Sequence, residues 1–184
     1  MARQGGARHR QTTASATLVS VIDEVDAIEA EVRAALDRTG LPYEAMPCEP
    51  DFADTAAFCE RYGVAPEDSA NTIVVVGKSE PRVYAACVVL ATNRLDVNGA
   101  VRRRLGVRKV SFASAEETRA LTGMMIGGVT AVALPDAVPL WVDERVMTRS
   151  TIVLGGGSRS LKIRISPEVF RHLPGTEVVS DLAT

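Results

Sequence analysis

A glycine-rich segment in the last third of the chain has the residue types best suited to chemistry. Gly123, Gly127 and Gly128 lie among apolar residues in the stretch from Thr122 to Thr130. Glycine permits positive φ and lets a ligand approach the bare backbone. Such a loop can present backbone N–H and C=O groups to a substrate, although a tight turn leading into a strand is the simpler interpretation.

Residues for a conventional catalyst or a metal site are scarce. The only histidines are His9 and His172, and the three widely spaced cysteines, Cys48, Cys59 and Cys87, form no CxxC pair. A zinc site needs three or four clustered ligands, and a nucleophile with a histidine base would have to rely on His172. We therefore expect no metal and no cofactor. An odd number of dispersed cysteines also argues against a disulfide framework and favours a reducing, cytoplasmic location.

Two other glycine segments and one basic run allow weaker interpretations. Gly77–Ser79 resembles the end of a phosphate loop, but Thr72 stands where that motif requires glycine. Gly155–Ser158 lacks the spacing of a GxSxG nucleophile elbow. Arg102–Arg104 could bind phosphates or could be a solvated helix face, and the sequence leaves both interpretations open.

Composition indicates one mixed α/β domain. The chain has 184 residues, of which 46% are hydrophobic and 4% aromatic, so aliphatic side chains must fill a single core. The net charge of -2 provides no general attraction to nucleic acid, so any RNA contact has to be local. Charges interrupt every apolar stretch, and we expect no membrane span.

Residues 1–16 are basic and polar and are predicted to be a disordered tail, with a tag or a nucleic-acid-binding arm as the less favoured alternatives. Residues 17–40 are predicted to form an N-terminal helical extension, because apolar residues from Leu18 to Leu36 follow helical spacing and Gly40 then ends the helix. Its apolar face could complete the core or bind a partner. The main domain is predicted over residues 41–184.

Within that domain the patterns predict a mixed, partly barrelled sheet flanked by helices rather than a Rossmann fold. The predicted elements are an extended segment over 41–48, a helix from Asp54 to Gly63, a turn at Pro66–Asp68, a hairpin of strands 72–76 and 83–91, a helix over 97–105, a strand over 109–112, a helix with a capping box from Ser114 to Gly123, strands over 129–134, 139–142, 151–154 and 161–165, and a short helix over 167–173.

Short motifs follow one another along this domain in a characteristic order. They are Tyr62-Gly63-Val64, Thr72 to Val76, Arg94-Leu95-Asp96, Leu105 to Val110, Thr122-Gly123, Gly127-Gly128-Val129-Thr130, Val138-Pro139-Leu140 with Asp143, and Gly156-Gly157 with Arg159. None is specific alone, but their order and spacing from about Leu41 to Asp181 resemble the YbaK/ProX family of trans-editing deacylases and the editing insertion of bacterial prolyl-tRNA synthetases.

The resemblance implies metal-independent hydrolysis of the ester that joins a wrong, small amino acid such as alanine, cysteine or a proline-like residue to the 3′ end of tRNA. Backbone groups of the loop Gly127–Ala131, called the glycine loop below, would position water and the scissile carbonyl, assisted by the tRNA's terminal hydroxyl. It assigns catalysis to Gly127, Gly128 and Thr130 and substrate binding to Asn71, Cys48, Asp143, Gly155, Gly156 and Arg159. The expected partners are the aminoacyl-tRNA 3′ end and a synthetase, whereas the oligomeric state is not predicted.

Several positions depart from the family pattern. The family's characteristic lysine corresponds to Asn71, the proline that closes its GxxxP loop to Ala131, a serine to Gly155 and a tyrosine to Cys48. Lys78, across the predicted hairpin, is a candidate replacement for the missing charge, with plain solvent exposure as the alternative. These departures favour a second hypothesis, in which the protein keeps the fold but only binds an aminoacyl-adenosine, a nucleotide or a protein partner.

Overall fold

The computed structural model describes the backbone of residues 9–184 and the side chains of residues 23–184. The first helix, α1, spans His9–Thr39. It ends before Gly40 as predicted but begins inside the segment expected to be a disordered tail; residues 1–8 of that segment lie outside the described residues.

The remaining elements alternate between strands and helices along the chain. The strands are β1 (Tyr43–Pro47), β2 (Ala70–Gly77), β3 (Val83–Leu90), β4 (Val110–Phe112), β5 (Leu140–Asp143), β6 (Ile152–Gly155), β7 (Leu161–Ile165) and β8 (Thr176–Val179). The helices are α2 (Thr55–Tyr62), α3 (Arg102–Leu105), which continues a π-helical turn at Val97–Val101, and α4 (Ala115–Thr122), with short 3₁₀ segments at Pro50–Phe52, Pro66–Asp68, Val146–Thr148 and Pro167–His172.

The strands form two sheets. A three-stranded antiparallel sheet has the order β1-β7-β6, and a five-stranded mixed sheet has the order β4-β2-β3-β5-β8. In the larger sheet β2 pairs antiparallel with β3 and β4, whereas β5 pairs parallel with β3 and β8. A parallel bridge between Ser69 and Val153 joins the two sheets. The mixed α/β class is therefore confirmed, and the predicted partly barrelled sheet takes the form of two sheets joined at this bridge.

The C-terminal half of α1 is part of the core. Val32 and Leu36 are fully buried and pack with the aliphatic residues of β3, β5, β6 and β7. Ile28 packs against a second group of buried residues that includes Met124 and Val129. The apolar face of this helix therefore completes the core of the domain, which was one of the two predicted roles.

Local sequence signals explain most element boundaries. Helix α2 begins after Asp54 and ends at Gly63, and α4 begins with the predicted capping box, in which Ser114 and Glu117 bond each other's backbone N–H. The hairpin of β2 and β3 also matches its prediction, with Ile73 opposite Cys87. These predictions are confirmed because each depends on residues close together in sequence.

The predicted strand over residues 129–134 is wrong. This segment is a buried loop without strand pairing, and the Thr130 hydroxyl accepts a hydrogen bond from the Val132 N–H at 3.3 Å. Such a local side-chain bond offers the backbone an alternative to a sheet ladder. Strand β8 was not predicted, whereas the short helix predicted after Ser166 is present as the 3₁₀ helix Pro167–His172.

Within the described residues, we find no helix with the length and apolar character needed to cross a membrane.

Candidate functional site

A cavity of about 370 Å³ lies where the two sheets meet. Strand β2 and the start of α2 form one side, and the glycine loop together with β6 and β7 forms the other. Its walls combine apolar side chains with a few polar groups: Asp54, Thr55, Phe58, Ser69, Ala70, Asn71, Thr72, Ile73, Val74, Phe112, Ala113, Thr118, Ile126, Gly127, Val129, Val153, Leu154, Gly155 and Lys162. A concave, mostly apolar site with few polar groups is typical of small-ligand binding.

Gly127 lies in the wall of this cavity with a positive φ of 91°. The positive φ favours glycine, and a Cβ atom at this position would stand 2.4 Å from Nη1 of Arg159, so a larger residue would displace the Arg159 guanidinium. Within the described part of the chain, the N–H groups of Gly127 and Val129 have no acceptor. These two N–H groups are therefore not used by the fold.

Gly128 serves the packing of the loop. Its N–H donates to the Met125 carbonyl at 2.9 Å, and its carbonyl accepts from the Gly157 N–H at 2.7 Å. A Cβ atom would stand 2.0 Å from the Ser158 carbonyl oxygen. Both polar groups of Gly128 are thus occupied, and the residue does not line the cavity.

The segment Gly155–Ser158 packs against the loop that contains Gly127 and Gly128. Gly155 lines the cavity, and a Cβ atom there would stand 2.4 Å from the Val129 carbonyl oxygen. Gly156 donates its N–H to the Leu161 carbonyl at 3.0 Å and does not line the cavity. The two glycine segments therefore approach each other backbone to backbone, which is possible only without side chains.

Arg159 ties this loop to the start of α2. Its guanidinium donates to the carbonyl oxygens of Pro50 and Ile126, both at 3.0 Å, and to Oδ1 of Asp54 at 3.1 Å. The planar fork of arginine suits several oxygens at once. Arg159 thus holds two opposite walls of the cavity in place, without itself lining it.

Lys162 is a charged residue of the cavity wall that was not predicted from the sequence. It lies on β7 with 6% of its surface exposed, and its Nζ donates to the carbonyl oxygens of Ala53 and Gly127, each at 2.6 Å. Alternation along Leu161–Ile165 puts Lys162 on the same face as Arg164, which is half-buried and bonds Glu44. That alternation is typical of a solvent-facing lysine, so no local signal distinguished it.

Burial changes the ionisation of groups near Lys162. Burial lowers the pKa of the Lys162 ammonium, and nearby Arg159 lowers it further. Burial likewise raises the pKa of the Cys48 and Cys59 thiols, although Lys162 opposes that increase in both. Because both thiols are buried and favour their neutral form, neither is set up as a thiolate nucleophile.

Asn71, the position of the family's lysine, lines the cavity from β2. Its Oδ1 accepts a hydrogen bond from the Thr55 hydroxyl at 2.5 Å. Thr55 and Asn71 also line a second cavity, of about 510 Å³, which is bounded by α2 and Ala91. The two cavities therefore adjoin each other across this pair of side chains.

The other predicted site residues lie elsewhere. Thr130 is fully buried and does not line the cavity. Asp143 is 1% exposed and accepts hydrogen bonds from the backbone N–H groups of Arg145 and Ala183, both at 3.0 Å, so it serves the C-terminal part of the fold. Cys48 is buried behind the cavity wall, close to Lys162. Lys78 is exposed in the hairpin turn.

The basic run is largely engaged by acidic residues. Arg103 bonds Asp181 at 2.9 Å, and Arg104 bonds Glu177 and lies over the Trp141 ring. The described part of the chain has no group of three His, Cys, Asp or Glu residues arranged to hold a metal ion.

Comparison with known proteins identifies the family. A family model described as the aminoacyl-tRNA editing domain matches residues 49–173. The crystal structure of a hypothetical protein, APE2540, is similar with a TM-score of 0.73 and 26% identity, over 84% of this chain and 99% of that one. A proposed trans-editing enzyme for prolyl-tRNA synthetase is similar with a TM-score of 0.71 and 25% identity, over 83% of this chain and 95% of that one. The chain therefore belongs to the family of YbaK-like aminoacyl-tRNA editing domains, as the order of its motifs predicted.

Proposed function

We propose that this protein hydrolyses the ester bond between a small, wrongly attached amino acid and the 3′ end of tRNA. The observation that carries the proposal is the cavity wall formed by Gly127, Val129 and Lys162. There, two backbone N–H groups that have no acceptor among the residues the structure describes lie beside a buried ammonium. Preorganised donors of this kind stabilise the negative charge that develops on a carbonyl oxygen during acyl transfer.

The reaction balances with water as the only co-reactant. The oxygen of water attacks the ester carbonyl carbon, and the carbonyl π electrons move to its oxygen. When the tetrahedral species collapses, the bond to the ribose oxygen breaks and that oxygen takes the proton that water has lost. The products are a free amino acid and a tRNA with its terminal hydroxyl restored.

The adjoining cavities provide room for both parts of such a substrate. The first cavity, with apolar walls from Phe58, Val74 and Leu154, would hold the small amino acid. The second, beyond Thr55 and Asn71, would hold the terminal nucleoside. By resemblance to the family, the amino acid would be alanine, cysteine or a proline-like residue, and a synthetase that releases such mischarged products would be the natural partner.

A deacylation assay tests the proposal. Alanyl and cysteinyl esters of tRNAPro carrying radiolabelled amino acid would be incubated with micromolar protein, and the acid-precipitable label followed against the spontaneous rate. We expect release from at least one ester. If every ester decays only at the spontaneous rate, the proposed activity is wrong.

A pair of glycine variants tests the site. Gly127→Ala places a methyl group 2.4 Å from Nη1 of Arg159 and should lower deacylation about tenfold or more, since small misplacements of catalytic groups are costly. Gly63→Ala is the matched control, because Gly63 also has a positive φ, of 65°, but a Cβ atom there meets nothing within 4 Å. Equal activity of the two variants would contradict a role for the loop.

Binding without turnover is the competing function, and Asn71 is the observation that favours it. An amide stands where the family has a cation, and its oxygen is already bonded to Thr55. A protein of this kind would bind a non-hydrolysable aminoacyl-adenosine yet release no amino acid in the deacylation assay.

A further inference from the structure

Lys162 differs from the other two lysines of the chain in its surroundings. Lys78 and Lys109 are exposed, whereas Lys162 is buried in the wall of the cavity. A buried ammonium is costly unless it is paired and hydrogen-bonded. Lys162 therefore does not serve simply as a solvated polar residue on a surface strand, and its buried position needs another explanation.

The neighbours of Lys162 leave its charge incompletely balanced. Its Nζ bonds two neutral carbonyl oxygens, of Ala53 and Gly127, and lies 5.3 Å from the centroid of the Phe58 ring, but it bonds no carboxylate within the described residues. The nearby carboxylate of Asp54 is bonded instead to Arg159. The Cys48 and Cys59 thiols are buried, and burial raises their pKa, so the neutral form is favoured for both.

An ammonium group has three N–H donors, and the fold uses two of them. The group lines a cavity, so the third donor can be satisfied by an oxygen of whatever the cavity holds. An oxygen that carries negative charge would also balance the buried ammonium, because charge-assisted hydrogen bonds are stronger than neutral ones.

We infer that Lys162 is a catalytic residue of this chain, whose ammonium binds the carbonyl oxygen of the scissile ester and stabilises it as water adds. This inference rests on the proposed function. In the covalent step above, the electron pair that leaves the carbonyl π bond comes to rest on the oxygen that Lys162 contacts, and it returns when the ribose oxygen departs. The positive charge absent at Asn71 is thus supplied from the opposite wall, by β7.

The role requires the charged form of Lys162. The titratable and charged groups that face it are Cys48 beside β1, Asp54 at the N-cap of α2, Cys59 on α2, and Arg159 in the loop before β7. Burial lowers the pKa of Lys162, so its charge is lost at a lower pH than that of an ordinary lysine. Enzyme-catalysed release, corrected for spontaneous hydrolysis, should therefore fall as the pH rises through that lowered pKa.

Kinetics of Lys162→Met and Lys162→Gln test the inference, with Lys78→Met as the matched surface control. Loss of one oxyanion donor typically lowers kcat about 100-fold, so we expect that loss in both Lys162 variants with little change in KM. Their remaining activity should no longer fall at high pH. Glutamine keeps a neutral donor for the Gly127 carbonyl, so a purely structural role would leave Lys162→Gln close to wild type.

A binding measurement makes the inference testable without turnover. The probes are two adenosine derivatives, one with a 3′-aminoalkylphosphonate, which carries a tetrahedral anionic centre, and one with the matching neutral 3′-amide. We expect wild type and Lys78→Met to bind the phosphonate at least about tenfold more tightly than the amide, and Lys162→Gln to lose that preference.

The outcomes separate this inference from the proposed function. If wild type prefers neither probe, or if Lys162→Gln keeps both its kcat and the preference, the role of Lys162 is overturned. If wild type releases no amino acid but shows a Lys162-dependent preference for the phosphonate, the deacylase proposal fails whereas Lys162 remains the oxygen-binding cation of the cavity. If Lys162→Met does not fold, Lys162→Gln and the wild-type pH profile decide.

Discussion

Replacing Gly128 by alanine should destabilise the protein, because it forces the loop around Gly128 away from the segment Gly155–Ser158. The new Cβ atom would stand 2.0 Å from the carbonyl oxygen of Ser158 and 2.3 Å from its carbonyl carbon. Both are backbone atoms, so neither can move away by a change of rotamer. The loop around Gly128 must shift instead, and the hydrogen bond from the Gly157 N–H to the Gly128 carbonyl, now 2.7 Å, must lengthen or break.

The magnitude follows from these two effects. Inserting a group into a tightly packed interior costs about 1–3 kcal/mol, and a lost buried hydrogen bond adds about 1 kcal/mol. The sum is about 2–4 kcal/mol, which for a chain of this length corresponds to a fall in Tm of about 5–15 °C.

The control is Gly175→Ala. Gly175 has a positive φ of 68°, and a Cβ atom there meets nothing within 4 Å, so only backbone conformation changes. That strain costs about 1 kcal/mol, or about 2–4 °C in Tm. Thermal unfolding followed by circular dichroism in the same buffer compares the two variants. A Tm for Gly128→Ala as high as that of Gly175→Ala would refute the close backbone contact.

The same pair of variants links stability to activity. A shifted loop displaces the Gly127 and Val129 N–H groups, so deacylation by Gly128→Ala should fall about tenfold or more at a temperature where it remains folded. Gly175→Ala should keep wild-type activity, because Gly175 precedes β8 and lines neither cavity. Unchanged activity in Gly128→Ala would mean that the loop does not position the reacting groups.

Three further predictions concern other buried groups. Asn71→Lys should impair deacylation about tenfold or more, because the new ammonium loses the Thr55 bond and shares a cavity with Lys162; a gain in activity would instead indicate a decayed active site. Thr72→Val should raise the free energy of unfolding in urea by about 1 kcal/mol, since the buried Thr72 hydroxyl has no partner among the described residues; a loss would contradict this. Burial raises the pKa of Cys87 from 9.0 to about 12, so its stabilising contribution should be complete below pH 9 and lost as the pH approaches 12. At pH 8 its labelling by a thiol reagent should be no faster than unfolding.

Local chemistry explains how much of the fold the sequence could predict. The capping box of Ser114 and Glu117 and the glycines at 63 and 123 mark helix ends through contacts a few residues apart. Strand β8 depends on pairing with β5, from which it is separated by more than thirty residues, and no local pattern indicates that partner. The segment over 129–134 has the composition of a strand, but it packs without a neighbouring strand because Thr130 bonds its own loop.

In the site, too, features that depend on local sequence could be predicted, whereas those that depend on distant packing could not. The glycine loop was predictable because glycine is informative wherever a backbone must come close to another group. Lys162 was not, because its place in an alternating strand matches that of Arg164, and only the packing of α2 and the glycine loop over β7 buries one and not the other. Thr130 and Asp143 were assigned through the resemblance in motif order. That resemblance identifies corresponding positions in the sequence but does not show which side chains reach a cavity.

The occupied and unoccupied backbone groups of the loop restrict the mechanism. Lys162 donates to the carbonyl of Gly127, and Gly157 donates to that of Gly128. Each oxygen keeps a second lone pair, but a neutral amide oxygen is too weak a base to take the proton of an attacking water. Among the described residues, the N–H groups of Gly127 and Val129 and the third donor of Lys162 have no partner. A wall rich in donors stabilises an oxyanion but cannot act as a base. If the protein is a deacylase, the proton of water must therefore pass to an acceptor outside this wall, and the ribose hydroxyl beside the ester is the acceptor that the substrate itself brings.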